Sequence, residues 1–121
     1  MKSSDPRREL GARGEDLAAA FFIRRGFEIL ARNWRAGRIE IDLVVRKGDE
    51  LRIVEVKTRQ SLGAGYPEEA VTDEKLTRLA TAAERFLDQY PSLTREPHFD
   101  VLAIVIGKNG VPVYQHIRDI E

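Results

Sequence analysis

Four side chains of one short stretch could do chemistry together. Asp42 stands inside the apolar run Ile41-Asp42-Leu43-Val44-Val45, two residues after Glu40. Glu55 stands inside Ile53-Val54-Glu55-Val56, with Lys57 two residues on. Between the runs lies Lys47-Gly48-Asp49-Glu50, a tight-turn signal in which Gly can supply a positive φ. A hairpin symmetric about Gly48 and Asp49 pairs residues whose numbers sum to 97, which sets Asp42 opposite Glu55 and Glu40 opposite Lys57. Cross-strand partners share a face, as do residues two apart, so all four polar groups project from one side of the hairpin. The other side carries Ile39, Ile41, Leu43, Val45, Val54 and Val56 as a core face. Opposed carboxylates repel, the more so when partly buried. A divalent cation offsets this, because hard cations such as Mg²⁺ prefer carboxylate oxygens. A shared proton is a second solution. A third is structural: Glu40 pairs with Lys57 and the acids reach water at a sheet edge. That arrangement accounts well for Glu40 and Lys57 and poorly for Asp42 facing Glu55.

The elements that must position these groups follow from periodicity and punctuation. Residues 1–6 read as a flexible arm. A helix is expected from about Arg7 to Arg25, with Leu10, Leu17 and Phe21 on one stripe and Gly11, Glu15, Ala18, Ala19 and Phe22 on another. The small residues let the helix approach a sheet closely, which makes Glu15 an acid on a buriable face; taken by itself, a simple pairing with a nearby Arg is the better account. Gly26 ends the helix. Phe27 to Asn33 reads as a strand, followed by Trp34, which either stacks on a base or packs under a loop. The hairpin from Gly37 to Arg59 supplies two more strands.

The loop from Gln60 to Pro67 leaves the strand that carries Glu55 and Lys57, where it could touch a substrate. Its glycines do not match a phosphate loop. Thr72 can cap a second helix, whose stripe Leu76, Leu79, Ala80, Ala83, Phe86, Leu87 and Tyr90 ends at Pro91. Lys75 and Arg78 near its start either bind phosphate or are merely solvated. Val101 to Ile106 is a continuous apolar run, as in a strand covered on both faces. After the turn Gly107-Lys108-Asn109-Gly110, a last strand reaches Ile117, with Pro112 suited to a sheet edge. His98 and His116 have no metal-ligand spacing and no nucleophile partner, and read as structural or surface residues. The order is α-β-β-β-α-β-β, an α/β fold with helices flanking a mixed central sheet.

The chain of 121 residues suffices for one domain, 1–121, with one core. No apolar run could span a bilayer. The absence of cysteine excludes disulfides, thiolate zinc sites and a cysteine nucleophile. The first eight residues lack a hydrophobic signal region, so a cytoplasmic location is expected. Formal net charge is zero, against a strongly basic nucleic-acid binder. Yet residues 1–38 hold nine Lys/Arg against five acids, and all but Lys2 are Arg, which can grip phosphate in bidentate fashion.

These motifs together resemble a known group. An acid in the first helix, then Asp42, twelve intervening residues and Glu55-Val56-Lys57 resemble the PD-(D/E)xK nuclease superfamily, the restriction-endonuclease-like fold. The chain is more closely similar to the YraN-like proteins, through Gly14-Glu15, Arg32-Asn33-Trp34-Arg35, Glu40-Ile41-Asp42-Leu43, Val54 to Arg59, Lys75 and Phe99-Asp100-Val101, from about residue 10 to 118. Two departures are visible. Ile39 stands where the family commonly has Gly, and Ile41 stands where the superfamily's name has Pro.

The resemblance implies metal-assisted phosphodiester hydrolysis. Asp42, Glu55 and the Val56 backbone carbonyl would hold Mg²⁺ or Mn²⁺. Lys57 would orient or deprotonate water, and Glu15 would complete the site. Glu40 is an accessory candidate. Arg35, Arg59, Tyr66 and Lys75 are candidates for touching nucleic acid, expected to be DNA. The expectation is a nuclease on branched, damaged or single-stranded DNA in repair or recombination; action on two strands would need a homodimer. The competing expectation is a non-catalytic nucleic-acid or protein-binding module that keeps the nuclease fold.

Overall fold

In the computed structural model, which describes residues 5–60 and 72–120, the elements are α1 (Pro6–Arg24), β1 (Glu28–Ala36), β2 (Ile39–Lys47), β3 (Glu50–Arg59), α2 (Asp73–Gln89), β4 (His98–Ile106) and β5 (Pro112–Ile117). The fold is α/β and its order is the expected α-β-β-β-α-β-β. The strands form one sheet in the spatial order β1-β2-β3-β4-β5. Neighbours are antiparallel except β3 and β4, which run parallel. A parallel pair needs a crossover connection, and α2 lies on it.

Local signals set the helix ends. Asp5 accepts the Arg7 N–H at 3.0 Å and Pro6 takes the first helical position, so α1 reaches into the arm expected over residues 1–6. Gly26, at φ 87°, turns the chain from α1 into β1. Thr72 caps α2 by accepting the Lys75 N–H at 3.1 Å.

The helices cover opposite faces of the sheet. Ala18, Phe21 and Phe22 of α1 pack on Leu43, Val45, Val54, Leu102 and Ile104. Ala82, Ala83, Phe86 and Leu87 of α2 pack on Ile41, Val44, Leu51 and Ile53. The hairpin therefore has no single core face, contrary to the alternation read from its sequence. Leu43, Val45, Val54 and Val56 belong to the α1 layer, but Ile39 and Ile41 belong to the α2 layer. The change of face falls at Asp42. The pairs Arg32–Leu43 and Trp34–Ile41 bracket Asn33 and Asp42, and Asn33 adopts a left-handed conformation at φ 51°, which Asn tolerates better than most residues.

Beyond Asn33 the first strand continues to Ala36, so Trp34 is a strand residue. Its ring meets Phe86 edge-on at 5.3 Å, which makes it a core-supporting side chain. Both histidines are structural, as expected. His116 bonds the buried Asp100 at 2.7 Å, and His98 bonds Asp119. Asp100 also receives the Arg52 guanidinium at 2.9 Å and the Asp119 N–H at 3.0 Å. Among the described residues, no helix is long and apolar enough to cross a membrane.

Candidate functional site

The expected hairpin register holds from Lys47–Glu50 to Leu43–Val54. There the ladder stops, before Asp42 and Glu55. The Val56 N–H donates to the Asp42 carboxylate, Oδ2 at 2.9 Å, instead of continuing a backbone ladder with β2. On its other side β3 stays paired with β4 as far as Arg59–Val105. β2 and β3 thus diverge at Asp42, and the gap between them is where the acids gather.

Glu55 is 7% exposed. Its Oε1 accepts Lys75 Nζ at 2.7 Å and lies 3.6 Å from Lys57 Nζ. Glu40 pairs with Arg35 at 4.0 Å. The structural alternative of a Glu40–Lys57 pair is therefore not what forms, because Lys57 reaches along its own strand to Glu55. Glu15 arrives from α1, held by the Asn33 amide at 3.0 Å. A close helix–strand contact delivers it: a Cβ at Gly14 would stand 1.8 Å from Thr58 Oγ1, so α1 lies against β3 as only Gly permits.

Asp42 borders two clefts. One, of about 220 Å³, is lined by Glu40, Glu55 and Lys75 together with Arg38 and Arg78. The other, of about 320 Å³, is lined by Glu15, Val56, Lys57 and Thr58 with Arg7 and Leu10. The change of strand face at Asp42 opens this residue to both sides of the sheet.

The electrostatics follow from this crowding. Burial and then the Glu55 charge push the Asp42 carboxyl up to about 7, with Glu40 and Glu15 adding to the rise and the Val56 N–H opposing it. Burial lowers the Lys57 ammonium below its ordinary value, helped by the neighbouring Lys75. Burial acts the same way on Lys75, but its bond to Glu55 outweighs it and raises that group.

The available donors are oxygens. Among the described residues no three acidic or histidine side chains converge into a ready-made cage. Mg²⁺ does not require one, since it keeps several waters and commonly takes one or two carboxylates plus substrate phosphates. Two neighbouring acids whose joint ionisation is opposed by burial first and by each other's charge second are a pair that such an ion would favour in ionised form. Asp42 and Glu55 fit a hard divalent cation on these grounds.

Of the residues singled out in the sequence, Asp42, Glu55, Lys57, Glu15, Glu40 and Lys75 come together. Lys75 is partly exposed and bound to Glu55. Arg35 is exposed on β1 and faces Glu40. Arg59 ends β3 opposite Val105. Tyr66 and the loop from Ser61 to Pro67 lie outside the described residues. Asn33, which holds Glu15, was not among the candidates read from the sequence.

The comparisons with known proteins agree with the resemblance read from the sequence. A family model described as "Uncharacterised protein family UPF0102" matches residues 14–104. A UPF0102 protein of Rhodococcus opacus is 46% identical over 110 residues, covering 91% of this chain and 93% of that one. A UPF0102 protein of Nocardioides sp. is 46% identical over 111 residues, covering 92% and 90%. A UPF0102 protein of Chloroherpeton thalassium is 44% identical over 99 residues, covering 82% and 77%.

Proposed function

The chain belongs to the UPF0102 (YraN-like) family of the restriction-endonuclease-like superfamily, and on that premise we propose that it is a metal-dependent nuclease that hydrolyses DNA phosphodiester bonds. The observation that carries this reading is geometric: β2 and β3 part at Asp42, and Asp42, Glu55 and Glu40 line one cleft there. Acids gathered against their own repulsion and burial in a cleft are the arrangement that functional sites favour.

In this reading Asp42, Glu55 and the Val56 carbonyl hold Mg²⁺ or Mn²⁺. The cation supplies Lewis acidity toward a phosphoryl oxygen and lowers the pKa of water. Lys57, whose ammonium burial holds below its ordinary value, orients or deprotonates the attacking water. Glu15, anchored by Asn33, completes the acidic set from the α1 side. Arg38 and Arg7 along the two clefts offer donors to phosphates. Branched or damaged DNA in repair or recombination suits a domain with little room for reading base sequence. Cutting two strands at once would take a homodimer.

The test is a nuclease assay over linear, flapped and four-way DNA with Mg²⁺ or Mn²⁺. Cleavage by the wild type that disappears in Asp42→Asn and in Glu55→Gln supports the reading. Cleavage that survives both substitutions rejects this site.

One observation favours a second reading, a non-catalytic nucleic-acid-binding module. Lys75 and Lys57 both face Glu55, so part of the acidic charge is balanced by the chain itself. DNA retained on the wild type with no cleavage of any substrate, whichever metal is added, would put that reading ahead.

A further inference from the structure

Glu55 carries two ammonium groups, and they are not equivalent. Lys57 comes from the same strand, two residues on, and stands 3.6 Å from Glu55 Oε1. Lys75 crosses from the first turn of another element and makes the shorter contact, 2.7 Å. Its backbone is fixed by the Thr72 cap, while its four-carbon stem is flexible. The Lys75 ammonium also feels the Asp42 charge and lines the same cleft as Asp42 and Glu55. It is thus a monovalent cation bound to one of the two acids that would share a divalent one, in the cleft that both acids line.

We propose that Lys75 is the resident counter-ion of the Asp42–Glu55 pair, and that a divalent cation must displace its ammonium to bind. The inference rests on the metal reading above and deepens it. The cleft is occupied by one of the protein's own charges until metal arrives, so metal affinity is set by a competition within the chain. The neighbouring Arg78 is the natural control. It lines the same cleft but is engaged by Glu74 at 2.7 Å, one turn along the helix, and not by Glu55.

The experiment is calorimetric titration of Mn²⁺ into the full chain, with thermal unfolding to verify that each variant is folded. Lys75→Met should bind Mn²⁺ at least about tenfold more tightly than wild type, as expected when a unit charge in contact with a buried acid is removed. Lys75→Arg, which keeps the charge, should stay close to wild type. Arg78→Met should change affinity by less than about threefold, as for an exposed charge. Adding Asp42→Asn to Lys75→Met should abolish the gain. Lys75→Gln serves in place of Lys75→Met if the latter does not fold. Equal or weaker binding by Lys75→Met, with the wild type binding, overturns this proposal and leaves the metal site standing. A gain that survives Asp42→Asn, or an equal gain in Arg78→Met, also overturns it. Absence of Mn²⁺ binding in both wild type and Lys75→Met overturns the proposal and the metal site together.

Discussion

The backbone N–H of Val56 donates to the side chain of Asp42 at 2.9 Å, at the point where β2 and β3 cease to pair. A carboxylate thus stands where a strand carbonyl would otherwise accept. The contact fixes Asp42 beside Glu55 and keeps the β2–β3 ladder from closing over the acids.

Asp42→Asn keeps an acceptor for Val56 and removes the charge. The folded carboxyl lies at about 7, above an unfolded value near 4. The folded state therefore holds its proton more tightly than the unfolded chain. This contribution is complete below about pH 4 and is lost as pH rises through about 7. Wild type should lose stability between pH 5 and pH 8.5, by at most about 3 kcal/mol from this group. Asp42→Asn should flatten that slope and have the higher Tm at pH 8.5, as urea and thermal unfolding at the two pH values would measure. An unchanged slope would contradict the assignment.

Asp100 is the opposite case. Burial would raise its pKa, but bonds from His116, the Asp119 N–H and Arg52 outweigh burial and hold it below the usual carboxylate range. Its stabilisation is present above the unfolded pKa and is lost as pH falls through the lower folded value. Asp100→Asn removes the buried charge that Arg52 and His116 face while leaving Arg52 paired with Glu50 and Asp119, and should cost about 1–3 kcal/mol in urea unfolding at pH 7.

Asn33→Ala and Asn33→Gly separate backbone from side chain. Ala pays the left-handed penalty at φ 51°, about 1–2 kcal/mol. Gly adopts that conformation freely but cannot hold Glu15. Asn33→Gly should therefore be the more stable of the two, while both show weakened Mn²⁺ binding by calorimetry. Equal Tm values would argue against the backbone account.

Gly14→Ala places a Cβ 1.8 Å from Thr58 Oγ1, so α1 must back away from β3. A loss of about 1–3 kcal/mol is expected from such overpacking, and Glu15 moves with the helix. Thr58→Ala in the same chain should recover only part of the loss, since the Thr58 Cβ lies 2.8 Å from the added carbon. Full recovery in a thermal melt would mean that the hydroxyl alone is the obstacle.

Much of this arrangement was legible because it depends on short-range pattern. The Gly48 turn fixed the register through Leu43–Val54, and the apolar runs marked every strand. The single core face failed because alternation assumes unbroken extended backbone, and Asn33 interrupts it beside Asp42. Lys75 was legible as a charge near a helix start but not as the partner of Glu55. That contact spans 20 residues of sequence and depends on where α2 is seated. The Asp100 network was equally hidden, since it joins β3, β5 and the segment after β5.

Trp34 is the chain's one tryptophan, and its ring rests on Phe86 of the helix that carries Lys75. The indole is therefore a natural optical gauge. Its fluorescence reads the seating of α2 against the sheet without any added label. It can tell whether cation exchange at Glu55 moves only a lysine side chain or shifts the whole helix.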